Sequence, residues 1–266
     1  MQLVIQHQTH YALDALADYS IQQLRLTPQD GFGQRVKNWT LKVSGNMSRY
    51  RDAFGNTAHT LVMDRPHAEI TITASGEVET DIDVPPPLDH LSLPVFLRNT
   101  PLNRPDEAIR RFAQEFLTVG KGVNDAVLAE LMHALHKRIA LEATTGELPK
   151  SAIDTFAEGA GNSHAMAHLF IACCHALAVP ARFVHGYWFD SATDRIENHG
   201  WADAWLIDHG WMSFDIANDC LSNGVHVRLA TGLDYRDACP VSTMMNDARE
   251  RLSVSVKVQE MEQAQQ

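Results

Sequence analysis

The sequence predicts an α+β protein: an antiparallel β-sandwich over residues 1–83, then helices packed on a second antiparallel sheet over 105–258. Three observations carry this. Short period-2 apolar runs separated by Gly, Asp, Asn and Pro fill the first part. Pro85, Pro86 and Pro87 then stop regular structure, because proline donates no N–H and fixes its own φ. Beyond them apolar residues recur at helical spacing before alternation returns.

In the first part Leu3 and Ile5, then Ile21, Leu24 and Leu26, then Trp39, Leu41 and Val43, then Ile70 and Ile72 mark strands. Asp52-Ala53-Phe54-Gly55-Asn56 is a turn between two of them. Residues 84–104 read as a linker. Pro105 with Asp106 and Glu107 opens a helix, proline in the first turn and acids at the positive end of the dipole, with Ile109, Phe112, Ala113 and Phe116 on one face. A second helix carries Val127, Leu128, Leu131, Met132, Leu135 and Ile139. A third starts at Asn162 or Ser163, runs to Ala178 and stops at Pro180. Strands follow at 181–189, 201–207 and 211–215, the last two paired around Asp208-His209-Gly210. Alternation at 252–258 adds a C-terminal strand to this core, and 259–266 is a polar tail.

A chain of 266 residues, 45% apolar, has enough material for two ordinary domains. Its formal charge of -11 argues against a nucleic-acid groove or an anionic membrane as the main partner, since both attract dense positive charge. The N-terminus alternates like a strand and lacks a basic leader, and no segment has the apolar length of a membrane span, so a cytoplasmic location is expected. Cys173, Cys174, Cys220 and Cys239 have neither disulfide-framework nor CxxC spacing and read as reduced, packed thiols.

Ser163 at the first turn of a helix, His199 at the mouth of a strand and Asp215 at the end of its partner supply a nucleophile, a base and an orienting carboxylate. The open N–H groups of that helix would stabilise an oxyanion. Against this, Ser163 can equally be a helix N-cap. His164 is a candidate oxyanion or substrate donor, and Tyr187, Trp188 and Trp201 are candidates to line a substrate groove, with core packing as the alternative for the aromatics. His164 with His168, and His133 with His136, have spacings compatible with metal chelation but no evident third ligand, so no metal or organic cofactor is expected.

Five motifs in order resemble the bacterial transglutaminase-like superfamily. Gly161-Asn162-Ser163-His164-Ala165-Met166-Ala167-His168-Leu169 is similar to G-V-C-Q-D-F-A-H-L, with serine at the cysteine position. His199-Gly200-Trp201-Ala202-Asp203-Ala204-Trp205 is similar to H-A-W-A-E-V-W, and Phe214-Asp215-Ile216-Ala217-Asn218 to F-D-P-T-N. Val179-Pro180-Ala181-Arg182-Phe183-Val184-His185-Gly186-Tyr187 resembles I-P-A-R-Y-V-S-G-Y, and Gly232-Leu233-Asp234-Tyr235-Arg236-Asp237 resembles G-R-D-Y-A-D. Arg25-Leu26-Thr27-Pro28 and Phe54-Gly55-Asn56 extend the likeness to the sandwich that precedes the core in these proteins.

The resemblance implies a papain-like core in which cysteine, histidine and aspartate attack a peptide-like amide and pass the acyl group to water or an amine. It also implies a functional link to ATP-grasp amide ligases, alpha-E proteins and a proteasome-like peptidase, which such proteins accompany. The departure falls on the reacting atom. A thiol is partly ionised at neutral pH, whereas a hydroxyl must lose its proton as it attacks, so Ser163 implies either a Ser-His-Asp variant or an inactive relative that binds peptide or protein in the retained cleft. Asn162, His164, Ala165 and Gly200 also depart from the pattern, as in a natural variant rather than a single engineered exchange.

Overall fold

The computed structural model describes residues 1–260 apart from 89, 118–121, 144–147, 194 and 246–249. Six strands open the chain: β1 (Gln2–Ala17), β2 (Ser20–Leu24), β3 (Gln34–Val43), β4 (Asn46–Arg51), β5 (Thr57–Met63) and β6 (His67–Thr80). Strict alternation along β1 buries Leu3, Ile5 and Tyr11, as a half-buried strand requires. Helices α1 (Glu107–Gln114) and α2 (Asp125–Arg138) follow, then the short strand β7 (Ala140–Leu141), helix α3 (Ala152–Glu158), strand β8 (Ala160–Gly161) and helix α4 (Ser163–Ala176). The second sheet is built from β9 (Ala181–Asp190), β10 (Arg195–Leu206), β11 (Gly210–Asp215), β12 (Cys220–Leu221) and β13 (His226–Gly232). The one-turn helix α5 (Tyr235–Ala238) precedes β14 (Val241–Met245) and β15 (Glu250–Glu260).

The sandwich consists of two antiparallel four-stranded sheets ordered β15-β1-β6-β3 and β14-β2-β5-β4. The strand expected at 252–258 therefore forms, but within β15, and its partner is β1, from Leu3 opposite Glu260 to Leu13 opposite Glu250. It closes the N-terminal sheet instead of extending the core. Alternation announces a strand but does not say which free edge it satisfies, and the long β1 offers an edge of unpaired backbone groups opposite β6. The proline segment is likewise docked: Gly33 N–H donates to Val84 O at 2.8 Å, and Phe96 is buried edge-on against Trp211 at 5.1 Å.

The core sheet has the order β12-β11-β10-β9-β13, all antiparallel. Helix α4 lies against it, buried continuously from Ser163 to Cys174, while α1, α2 and α3 cover its outer side. A helix enclosed on all sides is apolar all round, which explains the run Ala165 to Cys174. Each helix starts on a side-chain cap: Asp106 accepts from Ile109 N–H, Asn124 from Val127 N–H, Ser151 from Asp154 N–H and Asn162 from Ala165 N–H.

The two halves share one interior. Leu3, Ile5, Ile70 and Ile72 of the sandwich pack with Tyr187, Phe189, Ile196 and Val227 of the core. Two side-chain amides then dock the free edge of β13: Gln34 takes Arg228 N–H (2.8 Å) and donates to Arg228 O (3.0 Å), and Asn56 takes Thr231 N–H (2.9 Å) and donates to Thr231 O (2.7 Å). No helix among the described residues is long and apolar enough to cross a membrane.

Candidate active site

Four elements converge at the N-terminus of α4. The β10–β11 hairpin pairs Ala202 with Phe214, which brings His199 and Asp215 out on the same face of the sheet. His199 Nε2 lies 2.8 Å from Asp215 Oδ2. A carboxylate only accepts, so the proton is on Nε2 and Nδ1 is the basic nitrogen. Ser163 occupies the first turn of α4, and its Oγ accepts the backbone N–H of Gly200, the neighbour of His199, at 3.3 Å. Among the described residues no hydrogen bond joins Ser163 Oγ to His199 itself. Asn162, not Ser163, caps the helix, taking the Ala165 N–H at 3.0 Å. That frees the Ser163 hydroxyl from capping and leaves the backbone N–H groups of Ser163 and His164 at the open end of the helix.

Asp215 is wholly buried and serves more than His199. His226 Nε2, from the start of β13, donates to the same Oδ2 at 2.8 Å, and Asn218 Nδ2 does so at 2.7 Å. Burial alone would raise the Asp215 carboxyl, but His199 and His226 more than offset it and hold it well below the usual carboxylate range. It is therefore a fixed negative charge at neutral pH. His226 had no signal in the sequence: its pattern is that of any strand residue, and only the fold brings it to Asp215. Asn218 closes the Phe214–Asn218 motif but was not singled out.

The ligand atoms of His199, Asp215 and His226 lie within 4.8 Å of one another, a donor set of the kind that holds divalent transition metals. Their short contacts are equally those of a hydrogen-bonded carboxylate. The pairs weighed from sequence are otherwise engaged: His133 Nδ1 meets Asp219 Oδ2 at 2.5 Å, His136 Nδ1 donates to Ile216 O, and His168 Nε2 accepts from Tyr235 N–H.

The remaining candidates separate. Tyr187 and Trp201 are fully buried and line no groove: Tyr187 OH bonds His7 Nδ1 at 2.9 Å, and Trp201 stands behind the site, edge-on to His226 at 5.3 Å. Both belong to strands enclosed by the sandwich, which the sequence of the core alone could not show. Trp188 is half-buried, its ring 5.8 Å from that of His199, and it keeps its place as a candidate groove residue. The His164 side chain packs among Phe183, His185 and Tyr235. Its ring is buried, stacked on His185 at 5.4 Å, and burial, helped by His199 and His168, pushes its pKa down to about 3.

That ring explains the departure at Gly200. A Cβ at position 200 would lie 2.4 Å from His164 Cδ2 and 3.0 Å from Phe183 Cζ. The large ring at 164 and the missing side chain at 200 are two halves of one packing solution.

Cys173, Cys174 and Cys220 do not take over from Ser163. Cys173 and Cys174 are buried and their thiols pushed up by desolvation. Cys220 pairs with Asp215 across the β11–β12 ladder, yet burial and the charges of Asp215 and Asp219 push it up to about 11, so it is protonated at neutral pH.

Residues 3–79 match the bacterial transglutaminase-like N-terminal region, and residues 110–216 match the transglutaminase-like superfamily core. An uncharacterised protein of Mycobacterium leprae is 27% identical over 254 residues, covering 88% of this chain and 90% of that one. A solved candidate cysteine protease from Cytophaga hutchinsonii superposes with a TM-score of 0.77 at 19% identity, covering 98% of this chain and 92% of that one. The periplasmic domain of TgpA from Pseudomonas aeruginosa aligns over 79% of this chain and 87% of its own, with a TM-score of 0.40 at 14% identity.

Proposed function

This chain belongs to the transglutaminase-like superfamily, and on that premise we propose that it is a hydrolase or acyl transferase acting on peptide-like amides through Ser163, His199 and Asp215. The observation that carries the proposal is the His199–Asp215 contact of 2.8 Å, with Ser163 Oγ bonded to the residue adjoining that histidine. In this reading Ser163 Oγ attacks the carbonyl carbon while its proton passes to His199 Nδ1. The carbonyl oxygen, now negative, meets the N–H groups of Ser163 and His164. His199 then protonates the leaving amine and the C–N bond breaks; water or a second amine next attacks the Ser163 ester, giving its proton to His199, which passes it to Ser163 Oγ as the Oγ–C bond breaks and the acyl product leaves. Asp215 holds the Nε2–H tautomer and balances the imidazolium charge.

A second reading has its own support. Ser163 Oγ accepts the Gly200 N–H and lacks a bond to His199, so its hydroxyl is not activated in the resting state. A non-catalytic relative that binds peptide in the cleft would look the same. Exchanging Ser163→Cys separates the two, because a thiolate needs less from the base. Amidase or acyl-transfer activity in both proteins, faster with cysteine, supports the enzyme; thiol-dependent activity in the variant with none in the parent supports a disarmed scaffold. Activity in neither protein against a peptide-amide panel would remove the catalytic reading.

A further inference from the structure

A cavity of about 530 Å³ opens between the two halves of the molecule, and Ser163, His199 and Asp215 take no part in its lining. Its walls come from the sandwich, the proline segment, Arg182 of β9 and β13, and they include residues of both motifs of the N-terminal half that the triad does not use, Thr27 and Pro28 of one and Phe54, Gly55 and Asn56 of the other. Phe32, Trp39 and Phe54 give it aromatic surface. The Trp39 Nε1–H is spent on Leu26 O at 2.8 Å, so Trp39 has no N–H left to offer a ligand. Phe32 sits at a φ of 53°, a left-handed backbone unusual for a bulky residue, with the Arg228 guanidinium 3.9 Å over its ring.

The charge is the more telling feature. Arg49 and Arg51 are two apart on β4 and so share a face, roughly 7 Å from one another. Neither has a carboxylate partner among the described residues; Arg51 reaches only Gly55 O and His90 Nε2, both at 3.4 Å. Two other cations of the sandwich are paired, Arg25 with Asp52 at 3.0 Å and Lys37 with Glu79 at 2.5 Å, while Arg35, Lys42 and Arg65 have no ion pair among the described residues; what sets Arg49 and Arg51 apart is that they line the cavity. In a chain with 33 acidic and 22 basic residues, Arg49 and Arg51 line this aromatic cavity without an ion pair among the described residues, and the one acid that lines it with them, Asp30, already takes the Val36 N–H on Oδ1 at 2.8 Å, so the balance of charge there is positive. The cavity is also preformed, because Gln34 and Asn56 bolt its two walls together through paired hydrogen bonds.

We propose that this interdomain cavity binds a small organic anion, a carboxylate or phosphate on an aromatic or apolar body, with Arg49 and Arg51 taking the charge and Phe32, Trp39 and Phe54 the body. The site is independent of the chemistry assigned to Ser163. Isothermal titration of the full chain with N-acetylphenylalanine, phenyl phosphate and the neutral N-acetylphenylalanine amide tests it, in the parent and in Arg49→Ala/Arg51→Ala. At least one acid binds, the amide binds about tenfold or more weakly, and the double variant loses about tenfold or more in affinity for the acid without a change in melting temperature. Which acid binds tells carboxylate from phosphate. Equal binding of acid and amide, undiminished binding by the double variant, or no binding of either acid at millimolar concentration would each overturn the proposal.

Discussion

Replacing Gly200 by alanine puts one methyl group where the structure has no room for it. The added Cβ would stand 2.4 Å from His164 Cδ2 and 3.1 Å from His164 Cα, against the roughly 3.5–4.0 Å of a comfortable carbon contact. His164 cannot swing aside, since its ring packs on His185 at 5.4 Å and Tyr235 at 5.0 Å. The N-terminus of α4 must therefore retreat by about 1 Å, judged from that shortfall in contact distance. This also carries Ser163 Oγ, already 3.3 Å from Gly200 N, out of hydrogen-bond range. Overpacking of this kind costs about 1–3 kcal/mol and the lost hydrogen bond about 1 kcal/mol more. The restricted unfolded chain gives back roughly 0.5 kcal/mol, because position 200 has no positive φ that only glycine tolerates. A net loss of about 2–3 kcal/mol lowers Tm by on the order of 5–10 °C in a chain of this size. Differential scanning calorimetry of Gly200→Ala, His164→Ala and the double variant measures it. The double variant should be more stable than the sum of the singles by at least about 1 kcal/mol, because each change relieves the other. Strict additivity, or an unaffected Gly200→Ala protein, would refute the packing account.

Acid should unfold the protein early. Burial lowers His7 to about 4 and His164 and His168 to about 3, and drives His185 well down, so the unfolded chain protonates these groups first. Their contribution is complete above about pH 7 and is lost as pH falls below about 6.5; at pH 5.5 each costs on the order of 1 kcal/mol and the four together a few kcal/mol. Asp203, held at about 2 by Arg228 and Arg182 against the cost of its burial, and Asp215, also lowered, lose their contribution only below the ordinary carboxylate range, outside that window. Urea midpoints at pH 7.5 and 5.5 check this, and coincident midpoints would contradict it. His226→Ala removes one of the three donors on Asp215 Oδ2 and should cost about 1.5–3 kcal/mol in denaturant titrations. In the Ser163→Cys background it should cut kcat about tenfold with little change in KM, and His226→Gln should recover part of the loss; equal effects on kcat and KM, or none, would remove His226 from the positioning of the dyad.

Much of the core was legible because local chemistry and fold agree there. Asp106, Asn124 and Asn162 cap where the sequence turns helical, and the Asp208-His209-Gly210 turn sets the hairpin that joins His199 to Asp215. Helix α3 was missed although Ser151 Oγ caps the Asp154 N–H and donates to the Asp154 carboxylate, because seven residues give too little periodicity to stand out. The pairing of β15 with β1, the burial of Tyr187 and Trp201 and the approach of His226 to Asp215 are all contacts between segments far apart in the chain. No local pattern encodes which distant surface will cover a strand, so these had to come from the fold. The exchange at Gly200 and the ring at His164 were visible as separate departures, and only their contact makes them one.

Mass spectrometry of the full chain after exposure to a fluorophosphonate probes the reacting atom itself. A single adduct on Ser163, abolished in His199→Ala, is the result expected if that hydroxyl is activated by its neighbouring imidazole at the head of α4. An unlabelled Ser163, or labelling that persists without the histidine, would show that the serine is a structural residue of a cleft that no longer does chemistry.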